Sequence, residues 1–355
     1  MAQQSVAASV PTFGINLNGR DVPPAVRGEV TRVTVDQQIG AASAFEIELN
    51  NWSLDRHEVS LADDPAFDPG ARVLIEMGYL DDVATLIDGE VTGLEITFPE
   101  RARALFIIRG QDRLHRLRRG RRTRVFENVR DSDVVVQIAR DLGLTTDVVP
   151  SPESHAHLLQ ANQTDLDFLQ TRARSIGYEL TIDGKTLSFR PASEARGASA
   201  TLSFLRGLMT FEARLSTADQ VSAVTVRSAD PLERRTIVAR AAENDLRGIP
   251  RDRAGGPSVV SAAFGERELQ ISDLPVASQQ EADLLARATL EDLASCYVTA
   301  EAVAVGDPTL RAGETVEIDG VGTRFGGPYL IDRAVHTFGA GSGYTTSLQL
   351  RRSFS

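Results

Sequence analysis

A run of arginines is the densest charge cluster in the sequence and consists of Arg113, Arg116, Arg118, Arg119, Arg121, Arg122 and Arg124. Such a run can bind nucleic acid or other cargo, an acidic surface of another protein, or acidic residues of its own assembly. The chain has a formal net charge of -11, and no aromatic residue lies between the arginines, which disfavours nucleic-acid binding. We expect a connector whose arginines pair with some of the 49 acidic residues, with a protein-interface patch as the second interpretation.

The histidines offer little for metal or acid–base chemistry, because they are scattered at His57, His115, His155, His157 and His336. Only His155 and His157 lie close together, and with the adjacent Glu153 they could supply ligands to a metal ion. The neighbouring prolines favour a surface pair in a loop. We therefore predict no metal and no cofactor.

Catalytic patterns are equally weak. His336, Asp332 and a serine could be combined into a hydrolase triad, but the sequence contains no Gly-x-Ser-x-Gly elbow. The acid pairs Asp63-Asp64 and Asp81-Asp82 lie in predicted turns, where carboxylates accept hydrogen bonds from backbone amides. A phosphate-binding Gly-x-x-x-x-Gly-Lys motif is absent from the sequence. We predict that the chain is not an enzyme.

The elements that carry these residues are mainly strands. Apolar and polar residues alternate at 30–35, 44–49, 72–79, 86–98, 102–109, 201–204, 209–214, 221–227, 299–305, 315–318, 329–338 and 344–350. One helix is predicted to follow a capping Asp131, a second to extend from Thr164 to Gly177, and a third to follow the capping box formed by Ser278 and Glu281. A hairpin is predicted at 178–189. The fold class is therefore mainly β with an α/β insertion.

Two further features concern one segment and the single cysteine. Residues 230–258 show little periodicity and are predicted to form an exposed loop. Cys296 is the only cysteine, so it cannot form an internal disulfide, and we expect it to be a small buried residue.

The composition predicts a soluble protein of about two domains. No apolar run approaches the length of a membrane span. The first eleven residues lack a basic segment followed by an apolar one, so we expect no secretory signal and synthesis in the cytoplasm.

An internal duplication is suggested by two segments. The sequence from Pro69 to Ile75, followed by Gly78, matches that from Ala312 to Ile318, followed by Gly320. Leu-Ile-Asp follows each segment, at 86–88 and at 330–332. We expect two similar antiparallel β-barrels of common ancestry.

Several motifs together resemble the phage late control D family. They are 110–121 (GQDRLHRLRRGR) with Phe126, Asp131-Ser132-Asp133, 163–169 (QTDLDFL) with Gly177-Tyr178, 306–313 (GDPTLRAG), Gly327-Pro328-Tyr329 and Tyr344-Thr345-Thr346. This family comprises baseplate hub proteins of contractile tails and contractile injection systems, including the hub part of valine-glycine-repeat spike proteins. The resemblance covers nearly the whole chain.

The resemblance implies a homotrimeric ring with pseudo-sixfold symmetry that connects a trimeric spike to a hexameric inner tube. Its implied partners are a separate spike protein, the inner tube protein, the baseplate wedge and a small LysM-type hub protein, with no membrane and no sequence-specific nucleic acid. The implied domains are a first barrel at 1–115, an α/β domain at 116–200, part of a second barrel at 201–232, an insertion at 233–295 that packs with the α/β domain, and the rest of the second barrel at 296–355.

Two other functions are compatible with a tail protein. A receptor- or carbohydrate-binding module would use exposed aromatic residues, but the chain has one Trp and five Tyr. A cell-wall hydrolase would need a catalytic constellation, and the sequence shows none.

Overall fold

The computed structural model describes residues 10–52, 59, 61–80, 82–100, 103–192, 198–204, 206–230, 235–250 and 253–355. Two of the candidate site residues, His57 and Asp81, lie outside the described residues.

The described part of the first β unit contains β1 (Pro11–Leu17), β2 (Arg20–Asp21), α1 (Pro24–Glu29), β3 (Val30–Gln38), β4 (Ala44–Asn50), a 3-10 turn (Pro65–Phe67), β5 (Arg72–Tyr79), β6 (Asp82–Thr97) and β7 (Leu105–Asp112). The alternating pattern predicted β3 to β7 correctly. In β3, β4, β5 and β7 about every second side chain is directed into one apolar core, whereas in β6 only the part up to Val91 contributes to that core. The strand β1 was missed. Its buried residues do alternate, but Pro11 and Gly14 weaken the strand pattern.

A peripheral α/β region follows, with β8 (Arg122–Arg130), α2 (Asp131–Asp141), β9 (Thr145–Val148), β10 (Ser154–Gln163), α3 (Asp165–Ser175), β11 (Tyr178–Asp183) and β12 (Thr186–Pro191). Strands β8 and β10 form an antiparallel ribbon, and β9, β12 and β11 form a small sheet. The predicted helices and the 178–189 hairpin are confirmed.

Helix α3 begins as the sequence predicted. The Thr164 side chain accepts a hydrogen bond from the Asp167 amide, and Gly177 adopts a positive φ of 66° after the helix. The cap predicted for α2 is wrong in detail. Asp131 is the first helical residue and is buried, whereas the carboxylate of Asp133 accepts the hydrogen bond from the Arg130 amide.

The second β unit begins with β13 (Ala200–Ser203) and β14 (Leu208–Leu215). An insertion follows, with β15 (Ala223–Asp230), β16 (Arg235–Ala242), α4 (Gly256–Phe264), β17 (Glu268–Ile271) and α5 (Gln279–Ser295). The unit is completed by β18 (Val298–Val305), β19 (Thr315–Asp319), β20 (Gly327–Gly339) and β21 (Gly343–Arg352).

The insertion corrects two expectations. Residues 230–258 were predicted to be a loop, but they contain β16 and the beginning of α4; small alanines alternate with arginines in β16, so its apolar signal is weak. The predicted boundary at 232 also shifts, because β15 pairs with β16 and β17 in a separate sheet rather than with the second β unit. Helix α5 packs against this sheet and also contacts α3.

The expectation for Cys296 is also wrong, because its side chain is exposed. It is the residue that follows the last turn of α5, beyond the face that buries Ala294.

Thirteen strands of the two β units share one sheet, in the order β14-β18-β21-β20-β3-β4-β7-β6-β5-β1-β2, and β13 and β19 extend from β20. All pairs are antiparallel except β13 with β19. Each unit has its own apolar core.

Candidate assembly site

The two β units have the same strand order. In the first unit the neighbours are β3-β4-β7-β6-β5-β1, and in the second they are β14-β18-β21-β20-β19-β13. The long strands β6 and β20 therefore occupy equivalent positions, and so do β3 and β14.

Hydrogen bonds fix which residues are equivalent. The Gly70 amide donates to the carbonyl of Val91 at 2.8 Å, and the Gly313 amide donates to the carbonyl of Ile331 at 2.9 Å. One residue beyond Val91 and Ile331, each long strand has an irregularity in its pairing, with β7 or with β21. Val91 is therefore the counterpart of Ile331.

This alignment confirms one half of the sequence match and corrects the other. The segments around Gly70 and Gly313 are equivalent, as the sequence indicated. The two Leu-Ile-Asp motifs are not, because Ile87 pairs with Ile75 and lies four positions before the true counterpart of Ile331. Alternating apolar residues of two strands can match at a shift of an even number of residues.

The same alignment extends to β3 and β14. Gly110 lies opposite Val91 and Phe45, whereas Leu350 lies opposite Ile331 and Ala300. Phe45 and Ala300 are therefore counterparts, and their partners on the next strand are Val35 and Ala213. Both β3 and β14 have an irregularity near their first residue, which supports the same register.

The two units meet where the C-terminal half of β20 pairs with β3 over residues 333–339 and 32–38. Val33, Val35, Ala334 and His336 are fully buried at this junction. One face of the junction is therefore buried as completely as a domain core.

His336 is the most unusual polar residue of the junction. Its Nδ1 atom lies 2.9 Å from the Tyr344 hydroxyl and 3.2 Å from the Thr346 hydroxyl. Burial, with a smaller contribution from the nearby Arg311 guanidinium, lowers the pKa of His336 to about 3. The imidazole is neutral at physiological pH and serves as a structural hydrogen-bonding group.

The arginine run begins beside the first β unit and not on an open surface. The carboxylate of Asp112 accepts hydrogen bonds from the amides of Ser43 and Leu114, so it caps the 3-10 helix Arg113–Arg118. Burial raises the pKa of Asp112 to about 6, and the hydrogen bonds to its charged form oppose that rise.

Arg113 is buried and lies 3.2 Å from Asp88 and 3.5 Å from Glu90, and it donates to the carbonyl of Gly184 at 2.9 Å. Glu90 also accepts hydrogen bonds from Arg116 and from the His115 imidazole. Burial disfavours the charged form of Glu90, but these hydrogen bonds outweigh it and hold its pKa below the usual range. This cluster joins β6 to the α/β region.

The remaining arginines are divided between pairing and solvent. Arg124 donates to Asp165 at 2.6 Å and lies over the Phe126 ring, and Arg122 is 3.8 Å from the same carboxylate. Arg121 donates to the Asn162 carbonyl, and Arg119 lies 3.5 Å from His115. Arg118 is exposed and has no ion pair among the described residues. The structure thus brings most of the run into contacts within the chain.

The histidine pair does not form a metal site. His155 and His157 lie on β10 and not in the predicted loop; His155 is buried 3.1 Å from Asp131 and 3.0 Å from Arg172, whereas His157 is exposed. Glu153 accepts a hydrogen bond from Ser278. No cluster of three or more potential metal ligands occurs in the described ranges.

The hydrolase candidates are also separated. Asp332 lies 3.1 Å from Arg351 and His336 is bound to Tyr344 and Thr346, so these two residues do not form a dyad. Asp64 caps a turn by accepting the Ala66 amide, as predicted, and Asp82 is the first residue of β6.

Comparison with known proteins fits this architecture. The family model described as the Alg8 N-terminal domain matches residues 7–339. The chain belongs to this family. No curated protein matches its sequence.

Solved structures show that the fold of this Alg8 N-terminal domain family member occurs in tail proteins. A 43 kDa tail protein of prophage MuSo2 from Shewanella oneidensis is 16% identical with a TM-score of 0.73, and the match covers 96% of this chain and 98% of that one. A tail protein from Neisseria meningitidis is 12% identical with a TM-score of 0.70, and 97% of each chain is covered.

An E. coli component of the type VI secretion system, reported to resemble the T4 tail proteins gp27 and gp5, is 13% identical with a TM-score of 0.62. The match covers 96% of this chain and 77% of that one. At these identities the comparisons establish a shared fold.

None of the helices in the described part of the chain is long and apolar enough to cross a membrane.

Proposed function

We propose that this chain is a structural, non-catalytic baseplate hub of a contractile phage tail or a phage-like contractile injection system, as in the late control D proteins. Three copies form a ring in which each chain supplies two similar barrels. The ring has pseudo-sixfold symmetry and connects a trimeric spike to the hexameric inner tube.

The observation that carries this proposal is the repeated strand order, with both units side by side in one sheet. Three chains with two equivalent units each offer six similar positions to a sixfold tube, and the chain itself repeats three times to match a spike. The chain shares its fold with the MuSo2 prophage tail protein, the tail protein from Neisseria meningitidis and the type VI secretion component of E. coli, and this shared fold supports the same role.

The proposed domains correspond to the separate sheets of the structure. A first β unit extends to about residue 115, and the α/β region of 116–200 and the insertion pack together at the periphery. Contacts between α3 and α5, and the ion pair between Arg172 and Glu281 at 3.6 Å, support this packing. The partners are a spike protein, the inner tube protein, the baseplate wedge and a small LysM-type hub protein.

Light scattering of the purified protein tests the proposal, with and without the candidate spike protein. We expect a mass of three chains, alone or with the spike. A single-chain mass in both conditions over a wide concentration range would contradict the ring and favour a peripheral tail module.

A further inference from the structure

We propose that adjacent copies join by antiparallel pairing of the C-terminal half of β6 of one copy with β14 of the next, in a register that reproduces the β20–β3 junction within the chain. This inference rests on the proposed ring and specifies how the ring closes.

The C-terminal half of β6 has an unused edge. Residues 93–97 pair with β7 on one side, and among the described residues no strand pairs with their other side. Leu94, Ile96 and Phe98 are 38%, 42% and 61% exposed. Their counterparts Ala334 and His336, which do have a strand beside them, are 0% exposed. The apolar side chains of β6 therefore lack the cover that the second unit receives from β3.

Strand β14 supplies the complementary edge. It pairs with β18 on one side and lies at the end of the sheet order. Phe211, Ala213 and Leu215 are half-buried against the core of the second unit, and Arg214 is exposed without an ion pair in the described part of the chain. Its counterpart β3 is covered by β20. Free strand edges of this kind are pairing sites, which folded proteins normally cover.

The intramolecular junction predicts the register. Val335 lies opposite Asp36, and their counterparts are Glu95 and Arg214. Carrying the whole junction over places Leu94 opposite Leu215, Glu95 opposite Arg214, Ile96 opposite Ala213 and Phe98 opposite Phe211 of the next copy.

The side chains brought together in this way are chemically complementary. The apolar pairs lie on one face. On the other face Arg214 meets Glu95, which also forms an ion pair with Arg109 of its own chain at 2.5 Å. Pro99, which lacks an amide hydrogen, falls at the position of Gly339. That position is not hydrogen-bonded to β3, because the Ala340 amide bonds to the Thr31 carbonyl and bonded positions alternate along the strand.

The pairing also produces a closed ring. Within a chain, β20 of the second unit pairs with β3 of the first unit. Between chains, β6 of the first unit would pair with β14 of the second unit of the next copy. Every joint is of one kind, so the units alternate head to tail around the ring, and closure leaves no β6 or β14 edge unpaired.

A disulfide test follows from the register. Glu95 and Arg214 occupy a non-hydrogen-bonded position, where the Cα atoms of opposed residues are about 4.5 Å apart, a separation that a disulfide spans. In a Cys296→Ser background, Glu95→Cys/Arg214→Cys should form covalent oligomers of up to three chains after mild oxidation. Coexpressed Glu95→Cys and Arg214→Cys single variants should give covalent dimers, because the two cysteines lie on different copies.

Two matched controls accompany this variant. Glu95→Cys/Glu212→Cys moves one cysteine two residues along the same face of β14 and should cross-link at least tenfold less. Asp36→Cys/Val335→Cys reproduces the same geometry inside the chain and should form an intramolecular disulfide without any change in mass.

The outcomes separate the two proposals. A three-chain mass by light scattering without disulfides between positions 95 and 214 would overturn the β6–β14 pairing and leave the hub intact. Cross-linking in the Glu212→Cys control equal to that at Arg214→Cys would overturn the register. A single-chain mass before oxidation, with no covalent oligomer after it, would contradict the ring and the pairing together.

Discussion

At the scale of single residues, the polar groups that first suggest chemistry are used to hold elements together. Arg113 and Glu90 connect the first β unit to the α/β region, and His336 is sealed into the junction between the two units. Burial and pairing, rather than reactivity, explain why these ionisable residues are present.

Replacement of Arg113 by Met should destabilise the fold by about 2 kcal/mol or more, because the buried Glu90 and the partly buried Asp88 each lose a partner while part of the apolar stem is kept. Urea unfolding measures the loss. Arg118→Met is the matched control, since Arg118 is exposed, and should change stability by less than about 0.5 kcal/mol. Equal effects of the two variants would contradict the structural role assigned to Arg113.

His336 should make the fold sensitive to acid. Its pKa is depressed in the folded state, so below pH 6.5 the unfolded chain binds a proton that the folded chain does not. Stability should therefore fall as the pH decreases from about 6.5 towards 3, by up to about 1.4 kcal/mol per pH unit from this residue.

The variant His336→Asn removes this proton uptake and leaves the other titrating groups unchanged. Unfolding midpoints between pH 7 and pH 4 should decline less steeply for the variant than for the wild type, whatever its stability at pH 7. Parallel pH profiles would show that His336 is not neutral and buried in the folded protein.

At the scale of elements, the glycines of β7 and its neighbours are set by packing. A Cβ atom on Gly110 would lie 2.1 Å from the Phe45 ring and 2.3 Å from the Glu90 carbonyl oxygen, whereas the equivalent position of the second unit has Leu350 opposite Ala300. At this pair of positions each unit therefore has one bulky side chain, which is Phe45 of β4 in the first unit and Leu350 of β21 in the second.

Gly110→Ala should therefore cost about 1–3 kcal/mol through overpacking. Gly28→Ala is a suitable control, because no atom lies within 4 Å of the added Cβ and Gly28 lies in helix α1. It should be neutral or slightly stabilising in the same thermal unfolding assay. A neutral Gly110→Ala would contradict the contact between Phe45 and the backbone of β7.

Charge exchange tests the proposed joint between copies. Arg214→Glu should weaken assembly by placing like charges opposite each other, and Glu95→Arg/Arg214→Glu should restore part of it, since Glu95 also forms an ion pair with Arg109 of its own chain at 2.5 Å. Concentration-dependent light scattering measures both. Failure of the double variant to recover, with its fold intact by circular dichroism, would argue against this opposed pair.

The sequence predicted elements best where one face of a strand or helix is buried. The alternation in β3 to β7 and the cap of α3 at Thr164 depend on local residues only. Strand β16 was missed because its buried positions are mostly alanines. The two Leu-Ile-Asp motifs were wrongly predicted to be equivalent, because alternating strands match equally well at several registers. The free edges of β6 and β14 could not be found from sequence, since Leu94 and Ile96 have the same pattern as covered residues.

At the scale of the whole molecule, two units with the same strand order give the chain two strand edges that have no neighbour among the described residues, one on β6 and one on β14. The proposed joint brings together apolar residues and opposite charges of these two edges, in the register of the junction within the chain. A chain of this kind is suited to polymerise into a ring, with the α/β region and the insertion outside it.

Electron cryomicroscopy of the assembled wild-type protein would show the ring and its joints together. We predict a closed ring of three chains with six β units, in which β6 of each copy lies beside β14 of the next with Glu95 opposite Arg214. A ring with a different number of chains, or one in which the outer edge of β6 faces solvent, would contradict it.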